Sequence, residues 1–397
     1  MLIQLIIFLF LGIIAGTITG LFPGIHINLV GAALVSLSLT TLSSINSIFL
    51  IVFIVAMAIT HTFLDFVPSV FLGAPDNELS ILPGHELLKK GHGYQAVMLT
   101  AYGGLAAIFI LIIISFPLIL IIPKIYLTIE NFIFYILIIA SLILIFSDGK
   151  KINSLIVFVI SGILGTIILN LPDNSLNNQP LLPLLSGLFG VSSLLISIKQ
   201  KTSIPPQKIK EGKLRIKPIL SSLISSPICA FLPGLGSGQA AVIGNTIIKS
   251  GKKSFLILLG ATNTLVMGLS FIALYTVSKT RTGAAAAIKE IIGILEGNLL
   301  ILILLICLIS GIISFYLTKI TAKFFASRIE KIDYTKISIA TIIIVFIINF
   351  LVVSFFGTII LIISTLTGLY CISLEARRTN MMGCLMIPTI IYYWSLI

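Results

Sequence analysis

Ile18-Thr19-Gly20-Leu21-Phe22-Pro23-Gly24-Ile25 returns in kind as Ile228-Cys229-Ala230-Phe231-Leu232-Pro233-Gly234-Leu235. In each stretch a Pro-Gly pair interrupts an uncharged apolar run, where both residues are poor helix formers. One such pair would kink a helix. Two pairs, in corresponding halves of an apolar chain, predict paired broken helices, the pattern that points to a substrate site in membrane transporters.

The rest of the chain supplies the membrane setting. A mean hydropathy of +1.19, with 58% apolar and 10% charged residues, leaves too little polar surface to coat a soluble globule. At roughly 20 residues per crossing the 397 residues allow about ten to twelve passes. The apolar start has no basic leader and no small-residue cleavage site, so it reads as a retained membrane segment rather than a signal peptide. Cys229, Cys307, Cys371 and Cys384 lie singly in apolar stretches without metal-ligand spacing and read as packing residues.

The net charge of +12 reports orientation rather than nucleic-acid binding. Apolar runs predict helices over 47–70, 95–116, 127–147, 152–170 and 181–198. They resume over 254–278, 298–318, 337–353, 357–374 and 381–396. Basic residues cluster at 89–90, 150–151, 199–217, 249–253, 319–336 and 377–378, whereas the polar loop 172–179 has none. Alternating sides along the helices puts nearly all the clusters on one face, which the positive-inside rule makes cytoplasmic. Lys124 and the group Lys279, Arg281 and Lys289 fall outside that pattern.

Lys217 and Lys249 both flank the second Pro-Gly stretch, so 218–248 has to enter and leave on the same side. Lys217 to Pro233 is sixteen residues, about 24 Å of helix, which is short for a crossing and suits a re-entrant hairpin. The stretch 1–43 then forms a matching hairpin opening to the outside. The expected fold is an all-α polytopic membrane protein of about ten transmembrane helices plus two re-entrant Pro-Gly hairpins in an inverted repeat. Its first repeat spans 1–198, a basic cytoplasmic linker 199–217, and the second, inverted repeat 218–397.

A half-helix that starts after a Pro-Gly tip presents unpaired N–H groups and its positive dipole end. Bare glycines let an anion approach those groups closely. The expected substrate-binding residues are therefore Pro23, Gly24, His26 and Asn28 in the first hairpin. In the second they are Pro233, Gly234, Gly236, Ser237, Gly238 and Gln239, with Asn245 and Thr246 flanking. Asp65 is an ionisable residue in an apolar helix, with His61 one turn earlier, and such residues mark ion or proton sites. Thr262, Asn263 and Thr264 occupy the matching place in the second half and offer neutral oxygens to a coupling cation such as sodium. Arg281 is a candidate outer-mouth residue that attracts anions. The same glycines and serines would also serve close helix packing alone.

The paired Pro-Gly stretches, Pro233-Gly234-Leu235-Gly236-Ser237-Gly238 above all, resemble the TctA family, the large membrane subunit of tripartite tricarboxylate transporters. The loop Gly73-Ala74-Pro75-Asp76-Asn77-Glu78, followed by Pro83-Gly84-His85-Glu86-Leu87-Leu88-Lys89-Lys90-Gly91, is similar to the loop after that family's first hairpin. The chain departs from the pattern at His26 and Asn28, at Pro83-Gly84, and at Ser278-Lys279-Thr280-Arg281-Thr282-Gly283-Ala284. It is a compact, divergent branch by this resemblance. What the resemblance implies is a tricarboxylate substrate, an accessory small membrane subunit and a soluble binding protein.

The resulting expectation is a multi-pass permease of the cell membrane for a small organic anion, a carboxylate, coupled to sodium ions or protons. It has no catalytic residues, no metal site and no nucleic-acid partner, and a homodimer is left open. The alternative is a translocase of a polyprenyl-phosphate or other anionic lipid carrier, because a phosphate suits the same half-helix ends. An intramembrane enzyme is less well supported. There is no His-Glu-x-x-His and no second membrane Asp for Asp65, and Ser237 with His26 or His61 lacks a nucleophile motif.

Overall fold

The computed structural model describes residues 1–22, 45–72, 83–172, 179–199, 204–232, 235–329 and 334–395. Every regular element among them is helical. The first half runs α1 (Leu2–Leu21), α2 (Ser47–Leu64), α3 (Phe66–Phe71), α4 (Pro83–Lys89), α5 (Gly93–Ile129), α6 (Ile133–Phe146) and α7 (Lys151–Leu169). It closes with α8 (Leu181–Leu185) and α9 (Ser192–Lys199), joined by a π-helical turn at Ser186–Val191. The second half runs α10 (Ile216–Phe231), α11 (Ser237–Ile247), α12 (Lys252–Val277), α13 (Gly283–Ile292), α14 (Gly297–Arg328), α15 (Tyr334–Ser373) and α16 (Gly383–Trp394).

Two helices form the centre. Most of α2 and α12 is buried, and α12 is the least apolar of the long helices, as expected of a helix shielded from lipid by others. Outer helices carry the lipid-facing band, with Ile113, Phe116, Leu351 and Leu366 fully out of the protein interior. Lipid tails are as apolar as leucine, so helix association here rests on close packing and on polar contacts. Gly103 of α5 and Gly260 of α12 show the closeness. A Cβ on Gly103 would stand 2.1 Å from the Ile257 carbonyl oxygen, and one on Gly260 would stand 2.0 Å from that of Thr100. Hydroxyls join other pairs: Ser314 of α14 donates to Thr60 of α2 (2.9 Å), and Ser221 of α10 donates to the Gly244 carbonyl of α11 (2.7 Å).

Part of the packing is reciprocal between the two halves. In the first half α1 packs on α2, and in the second α10 packs on α12. Across the halves α2 packs on α14 and α12 on α5; α2 meets α13 and α12 meets α4; α1 touches α14 and α10 touches α5. These cross-contacts come in corresponding pairs, whereas others, such as α3 on α14 and α6 on α11, have no counterpart among the described residues.

Among the described residues eight helical runs are long and apolar enough to cross a membrane. Two of them are compound. Gly93–Phe146 is 54 residues, about 80 Å of helix against a hydrocarbon core of about 30 Å, and a 3-10 turn at Glu130–Phe132 divides it. The helix α15 breaks at Ser354, whose φ of 81° and ψ of −170° lie outside helical space and strain a non-glycine residue. That break separates the pieces expected at 337–353 and 357–374. Dividing α15 at Ser354 leaves two pieces each long enough to cross, whereas α6, beyond the 3-10 turn, has 14 residues. At 20 residues α1 is long enough to cross, beyond what a re-entrant leg needs, whereas α10 has the 16 residues of a short leg. The last expected helix, 381–396, is only 12 residues long, because a 3-10 turn at Arg378–Met382 takes up its start.

The described part of the linker, from Ile204 to the start of α10 at Ile216, has no regular structure yet is fixed to the membrane body. Lys208 N–H donates to the Gly91 carbonyl (2.8 Å), Gln207 Oε1 accepts from Gly93 N–H (2.7 Å), and Glu211 pairs with Lys319 (2.7 Å). Glu86 pairs with both Lys90 and Lys252, which ties basic clusters from the two halves together at the same end. Lys279, an exception to the charge pattern, pairs with Glu130 (3.3 Å). These pairs are substantially exposed and contribute little stability each.

Candidate functional site

The site begins where α2 ends. Pro68 has no N–H to offer the Leu64 carbonyl, so the helical ladder is interrupted there and α3 restarts after Asp65. Asp65 stands at this junction, with its carbonyl oxygen accepting from Ser69 Oγ (2.6 Å). Helix α12 brings Asn263 against it. Asn263 Nδ2 donates to Asp65 Oδ2 and to the Thr62 carbonyl, both at 3.1 Å. Asn263 Oδ1 in turn accepts from Ser237 Oγ at 2.9 Å. A continuous hydrogen-bonded chain therefore runs from the first residue of α11, through the central helix of the second half, to a carboxylate of the first.

Ser237 opens α11, three residues after the second Pro-Gly. The Gln239 side chain reaches back to accept from the Gly236 N–H (2.9 Å), so that amide is engaged. Further amides of the first turn have no intrahelical partner by the geometry of a helix start. Beside Gly238 there is open space, since a Cβ there would meet nothing within 4 Å. Two oxygens near the chain lack hydrogen-bond partners among the described residues: Asp65 Oδ1 and Thr264 Oγ1. A buried polar oxygen without a partner is costly, and a bound cation or proton satisfies such groups.

The other candidates distribute as follows. His61 Nδ1 pairs with Thr19 Oγ1 of α1 (3.2 Å). Thr262 Oγ1 donates within its own helix to the Leu259 carbonyl (3.0 Å). Asn245 Oδ1 accepts from Ser250, closing the turn after α11, and Thr246 bonds back to Ile243. Arg281 Nε donates to the Cys229 carbonyl (3.1 Å) in the last turn of α10, where a cation complements the dipole and an unpaired carbonyl. Pro23, Gly24, His26, Asn28, Pro233 and Gly234 lie outside the described residues. No group of three or more His, Cys, Asp or Glu side chains is placed for a metal ion among the described residues.

His85 is a buried group that sequence pattern does not single out. Its Nε2 donates to the Ser69 and Leu72 carbonyls (2.9 and 3.2 Å), while Nδ1 has no partner among the described residues. Burial, aided by the Arg378 charge, pushes its pKa down to about 4, so the imidazole is neutral at physiological pH. Its bonds to the end of α3 hold the stretch just after Asp65.

The family model described as "Tripartite tricarboxylate transporter TctA family" matches residues 6–383. Uncharacterized protein MJ1079 of Methanocaldococcus jannaschii is 31% identical over 402 residues, covering 98% of both chains. No solved structure matches the chain.

Proposed function

Since the chain belongs to the tripartite tricarboxylate transporter TctA family, we propose that it is a secondary-active permease for a small organic anion of the carboxylate class, driven by sodium ions or protons. The observation that carries this reading is the Ser237–Asn263–Asp65 chain. It links the start of α11, which suits an anion, to a carboxylate that suits a cation or proton. Substrate at the helix start and a coupling ion at Asp65 then share Asn263, so occupancy of one alters the other, which is what coupling requires.

The halves 1–198 and 218–397 act as inverted repeats that move against each other around this site, and the reciprocal packing of α2, α5, α12 and α14 supports that arrangement. The linker 199–217 then faces the cytoplasm. The four native cysteines are buried, so a cysteine introduced at Lys210 is read alone. It stays unlabelled by a membrane-impermeant maleimide in intact cells, and labelling there would reverse the orientation. The accessory small membrane subunit and binding protein usual for the family are the partners expected to deliver substrate.

Purified protein in detergent tests the substrate class. Citrate or succinate raises its melting temperature, and more so with sodium or at lowered pH. A ligand at 100 times its Kd contributes about 2.7 kcal/mol. A shift with neither carboxylate under any ion condition would remove the reading.

A further inference from the structure

One half-buried charge is left unused by the chain just described. Arg378 opens the 3-10 turn between α15 and α16. Its Nη1 donates to Ser193 Oγ of α9 (2.6 Å), but Nε and Nη2 are closed off from the surface with no hydrogen-bond partner among the described residues. The acid that bonds this turn is already engaged. Asp148 Oδ2 accepts from Ser154 Oγ, Arg377 N–H and Asn380 Nδ2. The far end of the turn abuts the substrate end of α11, because Met382 Cε lies 3.6 Å from where a Cβ on Gly236 would stand.

A guanidinium stays charged under all physiological conditions, and leaving its N–H groups buried and unpaired costs several kcal/mol. The two free donors are informative by their identity. Nε–H and Nη2–H lie on one edge of the planar fork and point the same way, so together they take the two oxygens of one oxyanion by parallel bonds. Nη1, on the other edge, is the atom that Ser193 anchors. The side chain is thus held by one edge and presents the other.

We propose that Arg378 is a substrate-binding residue, whose Nε–H and Nη2–H edge clasps an oxyanion of the transported molecule beside the start of α11. This rests on the organic-anion reading above and names the side chain that supplies its countercharge. A carboxylate and a phosphate monoester share the oxyanion, so both are probed.

Melting temperature and equilibrium binding are measured with citrate, succinate, inorganic phosphate and farnesyl phosphate for wild type, Arg378→Lys, Arg378→Gln and Ser193→Ala. The wild type binds a carboxylate. Arg378→Gln loses binding by roughly 100-fold, and Arg378→Lys, which keeps the charge but not the fork, by at least about tenfold. Ligand-free Arg378→Gln melts no lower than wild type, since it removes a half-buried charge with unpaired N–H groups; a residue kept for structure would show the opposite. Ser193→Ala, which frees the anchored edge, weakens carboxylate binding by a few-fold, less than either Arg378 variant. Should Arg378→Gln fail to fold, the lysine variant decides. Lysine or glutamine variants that fold and bind with wild-type affinity would overturn the assignment alone. A wild type that binds none of the four probes would overturn it together with the organic-anion reading. Binding confined to farnesyl phosphate, and lost in the Arg378 variants, keeps the clasp and makes a lipid phosphate its occupant.

Discussion

Asp65→Asn abolishes ion-driven accumulation of substrate while leaving the protein folded. In vesicles with roughly a tenfold inward gradient of the coupling ion, one ion per substrate supports accumulation up to about tenfold, each tenfold being about 1.4 kcal/mol. The variant brings substrate only to equilibrium. Folding survives because the new amide keeps an oxygen for Asn263 Nδ2, and because removing a charge from an apolar setting relieves desolvation. The carboxylate is the group at stake, since Asp65 Oδ1 has no partner among the described residues and stands ready for a cation or a proton. Accumulation with unchanged ion dependence in the variant would move the coupling site to the neutral oxygens of Asn263 and Thr264.

Gly238→Val has the next largest effect, and a selective one. The space beside Gly238 is open, since a Cβ there meets no heavy atom within 4 Å. Valine is also a better helix former than glycine by a few tenths of a kcal/mol, so the melting temperature holds or rises. The same isopropyl group fills the space in front of the first turn of α11, where an anion would approach the free amides. Carboxylate binding therefore falls by at least about tenfold with no loss of stability. Gly236→Val is the weaker test, because its amide is already bonded to Gln239 and a Cβ there crowds the Gln239 side-chain oxygen at 2.9 Å. A Gly238→Val protein that binds carboxylate normally would make the second Pro-Gly stretch a packing device.

Much of the fold was readable because its causes are local. Apolar runs specify helices one segment at a time, and Pro68 specifies the interruption after Asp65. The boundary of α16 was not readable in that way. The run 381–396 is apolar throughout, and only the tertiary position of Arg378–Met382, with Asn380 bonded to Asp148, turns its start into a 3-10 turn. The length of α1 follows a similar logic, since its Gly12, Gly16 and Gly20 face α2 and let the helix pack along its whole length.

The site divides along the same line. Asp65 announces itself as an acid in an apolar helix, and Asn263 as a polar residue at the matching place. That they bond to each other, across 198 positions, depends on α2 crossing α12. Arg378 gave no such signal. Beside Arg377 it reads as one more basic pair at a membrane edge, and only the buried, unpaired edge of its guanidinium separates it from its neighbour.

Uptake of radiolabelled citrate or succinate into proteoliposomes holding the wild-type protein tests the central claim most directly, under an imposed sodium gradient, an imposed proton gradient, and neither. Coupled transport through one site predicts accumulation above equilibrium under one of the two gradients and simple equilibration without them. Equal uptake under all three conditions, or none beyond that of protein-free vesicles, would contradict it.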